Sequence, residues 1–280
     1  MRFDNVHVYN FQNALRGMRN PKNSWHLSDS EFGYSRLDDM ADITCDMLDL
    51  QYPEGQFDSL SEQEQETIYD YWMHNITLNV DYSNEIAEYA LIGPKDMKLA
   101  QTLIKSGPEH RKFLRQIFVS VDITAPLYWW KEFDTYKVGT VANSTSTMHK
   151  LTSKPITPEC FELDDYCPDI YRSEDNVVIY DGPQPIIDFC ESLRQKYLET
   201  EDKRYWKELV RWLPESWLQT RTVTMSYENL FAICSKSQRR FHKLTEWSGD
   251  GENFEHPSFI KFARALPYAS EFIFIDELDI

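Results

Sequence analysis

The chain has 280 residues, with 46 Asp and Glu against 29 Lys and Arg, for a formal net charge of −17. That balance excludes a protein that coats duplex nucleic acid, whose phosphate contacts need a basic face, but leaves room for a small anionic ligand held by a few local cations. Its nine glycines never fall into G-x-G-x-x-G or G-x-x-x-x-G-K-[ST], which excludes the Rossmann and P-loop phosphate cradles.

Phe3 to Tyr9 alternates and predicts a first strand, after which Asn10 is placed to cap a helix carrying Leu15 and Met18. Residues 20–30 are rich in turn and cap formers and predict a loop, and Arg16, Arg19 and Lys22 make a small basic patch near Trp25. Ser59 to Val80 predicts an amphipathic helix opened by the capping box Ser61-x-x-Glu64, with Ile68, Tyr71 and Trp72 on it. A second helix is predicted from Pro94 to Lys105, stopped by Ser106-Gly107-Pro108. Gln116 to Thr124 alternates with Ile117, Val119, Val121 and Ile123 on one face, and predicts a strand headed by the cluster Glu109-His110-Arg111.

Ala125-Pro126 then starts a short aromatic helix through Trp129, Trp130 and Phe133, a set expected to pack into a core. Residues 137–149 predict a loop of small hydroxyl and amide donors. Residues 151–182, with several prolines, acids and both Cys160 and Cys167, predict an insertion or lid. Helices are expected at 184–199, 200–212 and about 228–248, with Pro214 breaking the chain between the last two and Arg239, Arg240, His242 and Lys243 on the last. A further helix is expected from His256 to Ala265, and Asp276 to Asp279 reads as a solvated acidic tail. Helices with a few strands predict an α+β fold: a small antiparallel sheet packed with several helices, in a single domain over 1–280.

No apolar run is long enough to cross a membrane, and Met1-Arg2-Phe3-Asp4 lacks the apolar stretch of a signal peptide. Five cysteines without a C-x-x-C or nearby paired histidines read as free thiols in a reducing cytoplasm rather than as a metal site. His149 and His242 read as surface or capping histidines.

Two regions carry chemistry. Ser106 to Lys150 holds Gly107…Glu109-His110, then Glu132-Phe133-Asp134-Thr135-Tyr136-Lys137, then Thr140, Asn143, Ser144 and Ser146. Small-residue loops of this kind can cradle a phosphate through hydroxyls and backbone N–H groups. Val210 to Trp247 holds Arg211-Trp212-Leu213-Pro214, Thr220-Arg221 and Arg239-Arg240, a local cationic surplus suited to phosphate. In this order the elements resemble the flavin-dependent thymidylate synthase (ThyX) family: a G…E-H segment heading a strand, a Q-x-x-R-H-R-x-x-S-x-N-x-x-S-x-R motif, R-x-x-L-P, T-R, and an Asn-containing helix ending in an arginine. The resemblance covers roughly residues 100–150 and 205–266.

The departures are specific. The family's R-H-R stands here as Thr135-Tyr136-Lys137, its glutamine as Glu132, its closing arginine as Thr147 or Met148, and Arg211 lies one residue too close to Leu213-Pro214. A carboxylate at 132 beside an anionic substrate is adverse unless it bonds a base N–H or is protonated. The resemblance implies a ThyX-like fold, FAD as cofactor with NADPH and methylenetetrahydrofolate as co-substrates, and C5 methylation of dUMP. It also implies a homo-oligomer, a tetramer by family, with sites built across subunits. Carried over position by position, His110, Lys137 and Thr140 would face the FAD, and Glu132, Ser144, Ser146, Arg211 and Arg240 (or its neighbour Arg239) the nucleotide, with no protein nucleophile. The loss of two cations of R-H-R opens the alternative of a catalytically degenerate nucleotide-binding or protein-interaction module.

Overall fold

In this computed structural model, residues 1–146, 150–163, 182–236, 242–249 and 257–278 are described, with Glu54 through its backbone alone. The fold is α+β, as its pattern predicts. Strands β1 (Arg2–Tyr9), β5 (Phe118–Pro126), β7 (Leu218–Ser226) and β6 (Val141–Ser144) form one sheet in the order β1-β5-β7-β6, and β2 (Glu31–Arg36), β4 (Ile86–Leu91) and β3 (Thr77–Asp81) form a second in the order β2-β4-β3. Two compact units are distinguishable, one of residues 1–4, 122–135 and 142–222, the other of residues 5–121, 136–141 and 223–280.

In the second unit, α1 (Phe11–Met18) buries Phe11, Ala14, Leu15 and Met18 at helical spacing. Asn10 stands at its N-cap position but in the left-handed region, φ 72°, and its side-chain amide donates to the Gln116 carbonyl at 2.9 Å instead of capping the helix. The loop at 20–30 contains two short 3-10 turns, Asn20–Lys22 and Trp25–Leu27. Helix α2 (Met40–Gln51) has no counterpart in the sequence prediction.

The capping box opens α3 (Glu62–Ile76) as expected, with both Ser61–Glu64 hydrogen bonds present. The helix ends at Ile76 rather than Val80, because Thr77 to Asp81 alternates and pairs antiparallel with β4. Tertiary pairing here overrides a continuous helical pattern. Helix α4 (Pro94–Lys105) keeps its predicted bounds, with Pro94 at its first turn.

Val119, Val121, Ile123 and Ala125 on β5, and Ile117 just before it, are all fully buried, so the predicted face is the core face. The strand runs through Pro126, and the aromatic helix α5 starts at Leu127 and ends at Tyr136. Glu109 and His110 precede a 3-10 helix, Arg111–Gln116, which stands between this cluster and the strand. Within the predicted 137–149 loop, residues 141–144 form β6.

In the first unit, Leu151, Ile156 and Phe161 are buried together with Ile187 and Cys190 of α6 (Gln184–Thr200) and Leu209 of α7 (Lys203–Trp212). This part of the expected lid is therefore core, because three apolar side chains spaced along it find a helical pair to cover them; residues 164–181, Cys167 among them, lie outside the described residues. Residues 218–226, unassigned in the sequence, form β7, and α8 (Tyr227–Ile233) stops well short of 248, leaving His242 and Lys243 non-helical. Arg239 and Arg240 lie outside the described residues, as do Thr147, Met148, His149 and His256. The last stretch folds as short helices Phe259–Arg264 and Ala269–Phe272. Glu277 is not simply solvated: both its oxygens accept from the Arg264 guanidinium at 2.8 Å.

Among the buried carboxyls of the second unit, Glu271 has an oxygen left unsatisfied among the described residues. Glu271 is 8% exposed; its Oε1 accepts from the Tyr71 hydroxyl, while Oε2 has no hydrogen-bond partner among the described residues. Burial raises its pKa, against the opposing effect of the Tyr71 bond. The folded chain thus holds this proton at pH values where the unfolded chain has released it. The associated stability is complete below the ordinary carboxylate value of 4.5 and is lost as pH rises through the folded value. Glu271→Gln should therefore raise the urea midpoint at pH 7 and flatten its decline above pH about 4.5. An unchanged midpoint at pH 7 would contradict the burial of an ionisable carboxyl.

Candidate functional site

A cleft in the second unit has a volume of about 830 Å³. Its floor is apolar: Met18 at the end of α1, Leu99 and Leu103 on α4, and Phe113 of the 3-10 helix. Leu99 and Leu103 are one turn apart on α4, while Ala100 and Ile104 face the core, so one amphipathic helix serves both surfaces. The rim carries Lys22, Lys95, Lys112 and His110, all exposed, against one acid, Glu109.

A buried polar network holds the cleft's wall. Asp96 is fully buried and accepts from Arg19 Nε at 2.5 Å, Ser28 Oγ at 2.5 Å and Ser30 Oγ at 2.7 Å. Asp29 reaches across to cap α4, accepting from the N–H groups of Lys95 at 2.9 Å and Asp96 at 3.0 Å, where a carboxylate also complements the helix dipole. Gly93 permits this approach: a Cβ there would lie 2.3 Å from the Asp29 carbonyl oxygen. Arg19 is thus tied into the wall and is not a free member of a surface patch; Arg16 instead lies over the Trp25 ring, 5.1 Å from its centroid.

Of the residues matched to the flavin side of the family's site, His110 lines this cleft. Lys137 is exposed, and its carbonyl accepts from both the N–H and the hydroxyl of Thr140 at 2.8 Å, closing a tight turn. Gly139 adopts φ 85° in that turn, which favours glycine. The turn is anchored by Asn229, whose amide donates to the Val138 carbonyl at 2.7 Å, beside a smaller cleft of about 270 Å³ that includes Arg115 and Glu228. Glu228 accepts from Arg111 at 3.2 Å and also from Arg115, so the cation of the Glu109-His110-Arg111 cluster is committed to an ion pair.

Ser226 and Asn229 form a reciprocal capping box at the start of α8, with Asn229 N–H to Ser226 Oγ at 3.2 Å and Ser226 N–H to Asn229 Oδ1 at 2.9 Å. Ser226→Ala should cost about 1 kcal/mol of unfolding free energy. It should also loosen the Val138–Thr140 turn, seen as faster amide exchange at Thr140; unchanged exchange there would mean that Asn229 anchors the turn without its cap.

Of the residues matched to the nucleotide side, Glu132, Ser144, Ser146 and Arg211 fall in the first unit. Glu132 and Ser146 are half-buried, and Ser144 is exposed at the end of β6. Arg211 is exposed on α7 and ion-paired with Glu208 one turn back. Arg221 is more buried than Arg211 and is likewise paired with an acid. Its guanidinium lies over the Trp130 ring, 4.2 Å from the centroid, with Nε donating to Gln219 at 3.0 Å and Nη1 to Asp134 at 3.3 Å. Burial lowers its pKa, against Asp134. Trp129, Trp130 and Phe133 are all buried, so this pair of tryptophans is core and does not stack on a ligand.

No family model matches the chain, and neither does any curated protein. Among solved structures, the chain is similar to the flavin-dependent thymidylate synthase ThyX from Helicobacter pylori complexed with FAD and dUMP. The identity is 14%, with 87% of this chain and 96% of that chain covered and a TM-score of 0.44. It is also similar to the UMP/dUMP methylase PolB from Streptomyces cacaoi bound with 5-Br dUMP, at 13% identity, over 88% of this chain and 94% of that one, with a TM-score of 0.41. At that level of similarity nothing follows about residue roles or reaction.

Sequence reasoning missed Lys95 and Lys112 as cleft residues. Their only signal is position: Lys95 opens α4 and Lys112 follows Glu109-His110-Arg111, and neither spacing is distinctive.

Proposed function

We propose that this chain is a divergent relative of the flavin-dependent thymidylate synthases. In this proposal it binds FAD, modifies a pyrimidine nucleotide such as dUMP at C5 with methylenetetrahydrofolate and NADPH as co-substrates, and works as a homo-oligomer in the cytoplasm. One observation carries this: His110, the residue matched to the family's E-H element, stands on the rim of a cleft with an apolar floor and a lysine rim in a chain of net charge −17. Its volume, about 830 Å³, is in the range of cofactor sites.

The residues of the cleft fit a flavin dinucleotide in kind. Leu99, Leu103 and Phe113 offer apolar surface to a ring system, and Lys22, Lys95 and Lys112 offer charge to a pyrophosphate. A bound flavin would supply hydride transfer. The chain's own part is to hold the anionic group at the rim, keep water from the floor and present His110 to the bound ring. Arg221, half-buried and oriented by Trp130 and Gln219, would turn its guanidinium from Asp134 to a nucleotide phosphate in this reading.

The test is an absorbance spectrum of the purified protein with and without added FAD and dUMP. Flavin bands, retained after gel filtration and weakened at least tenfold in affinity by Lys112→Glu, are expected. Protein that stays colourless after reconstitution would overturn the flavin assignment.

A second reading has its own support. Arg211 is occupied by Glu208, and the Thr140 hydroxyl by the Lys137 carbonyl, so two matched residues are already satisfied within the chain. A degenerate nucleotide binder without redox chemistry would be stabilised by dUMP in the absence of FAD, read as a rise in Tm.

A further inference from the structure

The negative charge is concentrated in one stretch. Residues 31–91 contain fifteen Asp and Glu and a single cationic residue, Arg36, so they account for −14 of the net −17. This stretch folds as the β2-β4-β3 sheet with α2 and α3, within the second unit. Thirteen of the fourteen acids whose side chains are described are exposed. One of them, Asp38, lies 3.9 Å from Arg36, and no other acid of the stretch meets a cation among the described residues. Like charges at this density repel one another and destabilise the compact state.

The two edges of this sheet differ. At β3, the Asn79 side chain bonds the Val8 backbone on both sides, accepting from its N–H at 2.9 Å and donating to its carbonyl at 2.7 Å. At β2, residues 31–36 pair with β4 alone, and no other described backbone group bonds them. Edge strands are usually blunted by lysines, prolines or bulges. On β2 the register with β4 is unbroken from Glu31↔Leu91 to Arg36↔Ile86, and Tyr34, 74% exposed, stands out near its middle. Opposite partners share a face, so Tyr34 lies on the same face as Glu88, with Ile86, opposite Arg36, further along it.

We propose that the free edge of β2 is a docking site for an extended, Lys- and Arg-rich segment of a partner protein, which adds to the sheet as a fourth strand. Main-chain hydrogen bonds to residues 31–36 would hold it, Tyr34 would pack on its aliphatic stems, and the surrounding carboxylates would select its charge. A second copy of this chain is disfavoured at the same edge, because it would bring −14 against −14. A nucleic acid is repelled for the same reason.

The experiment uses the full chain and an alternating Lys-Val peptide, compared with a twin N-methylated at every backbone nitrogen, which keeps the charge and loses every donor. Binding of the first peptide should slow hydrogen exchange in residues 31–36 and weaken with added salt, while the twin should bind at least tenfold more weakly. Tyr34→Ser, at an exposed position that folding does not need, should weaken binding roughly tenfold. Equal binding of the two peptides, absence of binding, or protection that avoids residues 31–36 would overturn the proposal. So would self-association of the chain that protects the same amides.

Discussion

Asp96→Ala is expected to lower the unfolding free energy by about 3–5 kcal/mol, the usual cost of removing one partner from a buried ion pair. The side chains of Arg19 and Asp96 are 6% and 1% exposed, so the arginine left behind could not recover its hydration without opening the wall of the cleft. Two serine hydroxyls would lose their acceptor in the same change. Urea titration at a fixed m-value measures the effect, and a loss under about 1 kcal/mol would show that water already reaches the pair. The double variant Arg19→Met with Asp96→Leu should recover part of the loss, because a buried pair and a matched apolar pair are often close in stability. In the double variant the segment from 19 to 30 would keep the Asp29 cap on α4 but lose its three side-chain bonds to Asp96, so ligand affinity at the cleft should fall even where stability returns. That separation distinguishes the network's role in the wall from its role in the fold.

Trp130→Ala should cost about 3–5 kcal/mol, the range for deleting a fully buried large aromatic side chain. Trp130 meets Trp129 edge-on at 4.9 Å and Phe133 at 5.6 Å, and its indole N–H donates to the Gln219 carbonyl at 2.9 Å. It also carries the Arg221 guanidinium on its face. Trp130→Phe keeps a ring under Arg221 but leaves the Gln219 carbonyl without its donor, and should cost about 1–3 kcal/mol. If the proposed nucleotide site uses Arg221, Trp130→Phe should weaken nucleotide binding less than Arg221→Lys, which loses the planar fork. The opposite order would remove Arg221 from the site.

Much of the local structure was legible in the sequence where a pattern had one solution. The alternation of Ile117, Val119, Val121 and Ile123 has a single buried face, and the box Ser61-x-x-Glu64 has a single partner geometry. Pro94 and Gly107 punctuate α4 by chain stereochemistry alone. The misreadings share a cause. Thr77 to Val80 continues the helical pattern of α3 as well as it alternates, and only pairing with β4 decides between them. Residues 218–226 hide a core strand because its buried apolar alternation is only Val223 and Met225, preceded by the polar Gln219, Thr220 and Arg221. The segment 151–163 looks like a lid by its prolines, yet its three spaced apolar residues are core once α6 and α7 exist to cover them.

The candidate site shows the same division. By itself the sequence determined which residues could bear charge or hydrogen bonds and that it holds no G-x-G-x-x-G or P-loop cradle, and it carried a motif order that resembles a flavin-dependent family. Tertiary structure alone decided what each charge is doing. Arg19, Arg111 and Arg211 look equivalent to the lysines of the cleft in a linear reading, but each is paired with an acid, at Asp96, Glu228 and Glu208. Lys22, Lys95 and Lys112, far apart in the chain, share one rim. The physical reason is that a side chain's availability depends on which opposite charges and acceptors the fold brings within a few ångströms, and that distance is set by packing between elements rather than by spacing along the chain.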